Sequence, residues 1–171
     1  MEIVTRVDED LLLDLLNTTP VVDGVRVDEF GSLPQAQDWA VARGGVGTAA
    51  EAEQLRRVRD AIQAVSRGDS PAQALQADLG QVRLHPQLSE SGLSWHLRVP
   101  ADQVLAARAM LAWASIHARS PERLRPCANP ECCRFLLDRS NANTARWCSM
   151  ALCGNRSKVR RHYQRNRATE E

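Results

Sequence analysis

All five cysteines of this 171-residue chain fall inside 27 consecutive positions, 127 to 153. Two pairs share one spacing, Cys127-x4-Cys132 and Cys148-x4-Cys153, and 15 residues separate them. Four thiolates presented from two short loops can close a tetrahedral zinc site, with Zn–S distances of about 2.3 Å. Such a site ties two loops together and so restricts the fold of everything between them. Disulfides or free thiols are the competing reading. The first residues, Met1-Glu-Ile-Val-Thr-Arg6, have no apolar core and do not read as an export signal. The expected location is therefore the cytoplasm, where a cysteine cluster binds metal sooner than it oxidises. The expectation is one structural zinc held by Cys127, Cys132, Cys148 and Cys153. Cys133 is left over, and could instead take the place of Cys132.

Charge divides the chain at the same place. Residues 1–120 carry 11 Arg/Lys against 16 Asp/Glu, a net of −5, whereas residues 121–171 carry 11 against 5, a net of +6. A basic appendage on an acidic body is the pattern of a nucleic-acid-binding module. Beyond the last cysteine, Arg156, Lys158, Arg160, Arg161, Arg165 and Arg167 follow in quick succession. At helical spacing, Lys158, Arg161 and Arg165 share one face, flanked by Arg160 and Arg167. These five are the candidate nucleic-acid contacts, through phosphates rather than bases. Leu152, Val159 and Tyr163 fall on the opposite stripe with Arg156, for which Asp138 is the expected ion-pair partner. The competing reading is a solvated helix whose charges offset the net −2 of four thiolates and one Zn²⁺.

The body, residues 1–120, reads as mostly helical. Asp8 is placed as the cap of a helix carrying Leu11, Leu12, Leu15 and Leu16. Asp23-Gly24 marks a short hairpin over 21–27. Ser32 with Gln35, and Thr48 with Glu51, are capping boxes. The second opens a long helix with Leu55, Val58, Ile62 and Val65 inward and Arg56, Arg57 and Arg59 outward, ending at Gly68. Ser70-Pro71 starts a shorter helix closed by Gly80. Leu93, Trp95, Leu97 and Val99 alternate with polar residues, so this is a strand. Its partner is expected over 82–84, across a loop from Pro86 to Gly92. A last apolar helix, about 102–119, leads into the cysteine region.

The region 121–171 is then a separate unit whose own small core is Phe135, Leu136 and Trp147. About 50 residues bury little surface, so metal must contribute to its folding. Cys153 is expected in the first turn of a closing helix, its thiolate facing backbone N–H groups. Gly154 allows close approach to the metal loop. The fold class is α+β: a mostly helical N-terminal domain with a small β-hairpin, plus a C-terminal treble-clef-like four-cysteine zinc finger.

These residues carry a resemblance. Cys127-x4-Cys132, Phe135, Asp138-x-Ser140, Arg146-Trp147-Cys148-Ser149-Met150 and Cys153-Gly154-Asn155-Arg156 resemble the CGNR-type zinc finger, in which glycine commonly stands at the place of Cys133. Upstream, Leu13-Asp14-Leu15-Leu16-Asn17-Thr18 resembles the start of the ABATE domain that accompanies this finger in bacterial proteins. The resemblance implies a stress-response transcription regulator that binds DNA.

An enzyme is not expected. His85, His96, His117 and His162 are scattered without a nucleophile. Gly44-Gly45-Val-Gly47 lacks the lysine of a phosphate loop, and a four-cysteine zinc site is closed to substrate. No apolar run approaches the roughly 20 residues that span a bilayer. Besides DNA, the open partners are a second copy of the chain in a homodimer, an acidic protein and a small-molecule effector of the body.

Overall fold

The computed structural model describes residues 4–90 and 92–159. Helix α1, Arg6–Leu16, begins with a capping box whose cap is Thr5, not Asp8. Asp8 is the third helical residue: its carboxylate accepts from the Thr5 amide at 2.8 Å, and the Thr5 hydroxyl accepts from its amide. The spacing Thr-x-x-Asp carried that signal. The same carboxylate accepts from Arg108 at 2.6 Å, across to the last helix.

A hairpin follows, β1 Val21–Val22 and β2 Val25–Arg26. Asp23 and Gly24 both take positive φ, 49° and 81°, as the two-residue turn requires. Helix α2, Leu33–Val41, has the expected Ser32–Gln35 box. Helix α3, Ala49–Arg67, is capped by Thr48 and stopped by left-handed Gly68. Its box is half closed: the Glu51 amide donates to Thr48, but the Glu51 carboxylate turns to the Gly47 amide at 2.7 Å. Ser70 makes no cap for the next segment, which is a 3-10 turn, Ala72–Leu75, running into the short α4, Gln76–Leu79.

Strands β3, Arg83–Ser89, and β4, Gly92–Arg98, form a longer hairpin than the sequence suggested. Pro86 lies inside β3 opposite Trp95. A two-stranded ribbon has only edge strands, where a missing amide costs little. Helix α5, Val104–Arg119, then leads into β5, Leu124–Pro126, and β6, Phe135–Leu137. Among the described residues the sheets are three separate antiparallel pairs, and the fold is α+β.

The core is a single cluster. Leu12, Leu15 and Leu16 of α1, Leu55, Val58 and Ile62 of α3, and Leu105, Ala109 and Met110 of α5 meet Phe30 and Ala40 there. Leu124 and Phe135 belong to the same cluster. The finger's hairpin is thus seated in the body, and Phe135 is not the centre of a separate small core. Among the described residues no helix is long and apolar enough to cross a membrane.

Arg59 departs most from expectation. It was placed outward with Arg56 and Arg57, yet its side chain is 2% exposed. It makes two hydrogen bonds to the Asp28 carboxylate, at 2.6 and 2.9 Å, one to Asp60 at 2.9 Å and one to the Thr18 hydroxyl at 3.1 Å. A buried guanidinium persists only when its donors are matched in this way. Burial works against the Asp28 carboxylate, but the Arg59 hydrogen bonds, the Phe30 amide and the charges of Arg59 and Arg56 together outweigh it and hold its pKa below the ordinary value.

Candidate metal centre

Strand β5 ends at Pro126, and the next residue is the first candidate ligand. The loop from Cys127 to Cys132 therefore closes the β5–β6 hairpin. The Cys127 amide donates to the Arg134 carbonyl at 2.9 Å, and the Cys132 amide to the Asn129 carbonyl at 2.9 Å. The second pair enters from the other side. The Ala128 amide donates to the Arg146 carbonyl at 2.8 Å, clamping the two loops together. The Ser149 hydroxyl then accepts from the Ala151 and Leu152 amides, starting the turn Met150–Gly154 that continues helically through 155–159.

Cys127, Cys132, Cys148 and Cys153 converge with all four sulfur atoms within 4.8 Å of one another. Two sulfur–sulfur separations, Cys132–Cys148 and Cys148–Cys153, are 3.7 Å. A tetrahedron with Zn–S bonds of about 2.3 Å has edges of about 3.8 Å. The geometry and the all-sulfur donor set fit one zinc ion, which these four residues would hold. Cys133 takes no part: it follows Cys132 in the chain, and its carbonyl accepts from Arg67 at 3.2 Å.

Donors surround the sulfurs. The Cys148 amide donates to the Cys127 Sγ at 3.4 Å, and the Asn129 side-chain amide to the Cys153 Sγ at 3.5 Å. Asn129, rather than the backbone N–H groups anticipated for Cys153, is its donor. Gathered without a counter-charge, the thiols ionise unequally. Burial first, and the neighbouring sulfurs next, push Cys132 up to about 11 and raise Cys148 as well. For Cys153, burial is outweighed by the hydrogen bonds from Asn129 and the other thiols, so its pKa falls. A dication removes the mutual repulsion and holds all four as thiolates. At Gly154 a Cβ would lie 2.6 Å from the Met150 Sδ and 3.4 Å from Trp147, so the turn is packed closely where glycine stands.

Among the described residues, three polar links join the finger to the body. Asn17 caps α1 and turns its side chain to β6. Its Oδ1 accepts from the Phe135 amide at 2.7 Å and its Nδ2 donates to the Phe135 carbonyl at 3.3 Å, as a neighbouring strand would. Arg67 donates to the Gln63 side chain and to the Cys133 carbonyl, and its guanidinium lies 4.7 Å from the Phe135 ring. Arg139 bridges to Glu9 and Asp10. None of these residues was singled out in the sequence as a joint.

Asp138 is paired differently from expectation. Its carboxylate, 1% exposed, accepts from the Ser140 hydroxyl and amide, the Ala145 amide and Arg125. Arg156 is instead exposed and lines an open cleft of 780 Å³ between β1–β2 and the cysteine loops, with Arg26 and Arg134. The same cleft is lined by Asp23, Glu131 and three of the four clustered cysteines. Leu152 and Val159 are 45% and 54% exposed rather than packed. Lys158 is exposed. Arg160, Arg161, Tyr163, Arg165 and Arg167 lie outside the described residues.

The Ser140 hydrogen bonds, with those from Ala145 and Arg125, hold the Asp138 carboxyl at about 2 against an ordinary 3.8. A carboxyl depressed by folding stabilises the native state above its unfolded pKa, and that contribution fades as pH falls through the folded value. Acid unfolding monitored by urea midpoint should therefore steepen between about pH 4 and pH 2. Asp138→Asn should be less stable at neutral pH and flatter over that window. An unchanged profile would mean the network does not carry the acid sensitivity.

A helical body with a docked four-cysteine knuckle defines a zinc-finger protein. The chain belongs to the ABATE family, described as Putative stress-induced transcription regulator, whose model matches residues 9–119. Residues 123–166 match the CGNR zinc finger. No curated protein was found to match the chain.

Proposed function

We propose that the protein is a cytoplasmic, non-catalytic regulator that binds duplex DNA through the basic segment behind its zinc finger. The observation that supports this most directly is positional. The metal loops fix the start of a helix at 155–159 that carries Lys158 outward, and the residues that follow add four arginines before position 168. A closed site of four cysteine ligands leaves no coordination position for a substrate and suits a structural role. The family description points the same way.

Phosphate contact makes binding salt-dependent, with log K falling by about 0.9 per contact for each decade of salt. Replacing Lys158, Arg161 and Arg165 with alanine should flatten that slope by up to about 3 while zinc content stays at one per chain. Fluorescence anisotropy with random duplex at several salt concentrations reads this directly. A triple variant that binds like wild type would remove the basic face from the interface. No affinity at low salt would favour a protein-interaction module.

A further inference from the structure

We propose that the β3–β4 ribbon is a second DNA-contacting element, presenting its basic face to the major groove of the duplex. The proposal rests on the DNA-binding reading but uses a part of the chain distant in sequence from the finger. Side chains alternate along a strand, and directly paired residues share a face. The register pairs Arg83 with Arg98, His85 with His96 and Gln87 with Ser94 on one face. Leu84 with Leu97, Pro86 with Trp95, and Leu88 with Leu93 lie on the other.

The inner half of the apolar face is turned to the body, where Leu84, Trp95 and Leu97 line a groove with Val4, Val104 and Leu111, while Leu88 and Leu93 near the turn stay exposed. The polar face is exposed throughout. It is also the less favourable arrangement for an isolated protein, because like charges directly opposite each other destabilise a sheet. Among the described residues no carboxylate relieves Arg83 and Arg98. The Arg83 side chain donates only to the Gly80 and Val82 carbonyls, and the Arg98 side chain meets no hydrogen-bonding or ionic partner among the described residues. Glu90, in the turn, is the only acidic residue from 81 to 99. A row of Arg, His, Gln and Ser without a counter-charge, on a body that is otherwise net acidic, calls for a polyanion.

Shape selects the duplex. A two-stranded ribbon, with strands about 4.8 Å apart, fits a major groove about 12 Å wide. Seven residues per strand extend about 23 Å, long enough to follow the groove. Among the described residues β3 and β4 pair only with each other, so no described strand blocks the approach.

The test compares wild type with Arg83→Ala/Arg98→Ala on random duplex over a salt series. Two lost phosphate contacts should flatten the log–log slope by about 1.8 and weaken binding at least tenfold near 0.1 M salt. Zinc content and far-UV circular dichroism should not change. Arg83→Lys/Arg98→Lys should keep most of the slope, and Arg83→Gln/Arg98→Gln should repeat the loss should the alanine pair disturb the ribbon. Methylation of guanine N7, which obstructs the major groove, should weaken wild type more than the alanine pair. Wild-type affinity and slope in both neutral variants would overturn the proposal while leaving finger-mediated binding intact. A wild-type protein with no affinity for DNA would overturn both. A change in sedimentation without a change in DNA affinity would assign the face to a second copy of the chain and overturn it too.

Discussion

Cys148→Ser should leave the protein without metal and without ordered structure in the two cysteine loops. Cys148 sits 3.7 Å from two of the other sulfurs, Cys132 and Cys153, and its amide donates to the third. Structural zinc in isolated fingers contributes on the order of 10–16 kcal/mol, so its loss exceeds any single packing change in this fold. The damage should nevertheless stop at a definite place. Phe135 is held by the Asn17 side chain and by body packing that needs no metal. Hydrogen exchange should lose protection over 127–134 and 145–159 and retain it over α1, α3 and α5. Chelation of wild type should give the same map. Cys133→Ser should keep one zinc per chain by native mass spectrometry. A serine at 148 that still holds zinc, or one at 133 that does not, would show that the ligand set is wrong. Loss of all helical signal on chelation would show that the finger is required by the whole core.

Arg59→Ala should be the most damaging single change in the body. It removes a fully buried side chain, leaves the Thr18 hydroxyl without its donor and leaves the Asp28 carboxylate only the Phe30 amide. Breaking a buried pair by removing one partner costs about 3–5 kcal/mol. Asp28 is 38% exposed, so solvent recovers part of its loss and the lower end applies. In a chain of this size about 3 kcal/mol lowers Tm by roughly 10 °C. Asp60→Asn removes a partner that is 57% exposed and should cost at most about 1 kcal/mol. Arg59→Lys should recover little, since an ammonium cannot make the paired contact to Asp28. Thermal unfolding separates these cases. An Arg59→Ala protein as stable as Asp60→Asn would show that the guanidinium is solvated in solution.

Local rules made much of the fold legible. Ser32 with Gln35, Gly68, and the Asp23-Gly24 turn each state a backbone geometry within four residues, and each was found where expected. The clustering of Cys127, Cys132, Cys148 and Cys153 was legible for the same reason, because equal spacings in two loops are a local signal. What escaped was long-range pairing of polar groups. Arg59 lies at helical spacing from Leu55 and Ile62, on the inward stripe of α3, and that position was the available clue. Its partner Asp28 is 31 residues away, and nothing in either local sequence names the other. Asn17 and Arg67 escaped likewise: each joins the body to the finger across 118 and 66 residues. Asp138 was correctly marked as a paired acid but given to Arg156 rather than Arg125. The strand residue two positions before Cys127 reaches it because β5 pairs with β6. The extent of β3 was missed at Pro86, where a rule that holds for central strands does not bind an isolated ribbon.

The most direct test of a zinc-dependent DNA-binding regulator is a titration of random duplex with one protein preparation in three states: zinc-loaded, chelated and reloaded. At low salt the loaded protein should bind, with an affinity that falls steeply as salt rises. Chelation should weaken binding by releasing the short helix at 155–159, and with it the basic segment that follows in the chain, from its anchor, and reloading should restore it. A loaded protein without affinity for duplex at low salt, or an affinity untouched by chelation and reloading, would contradict it.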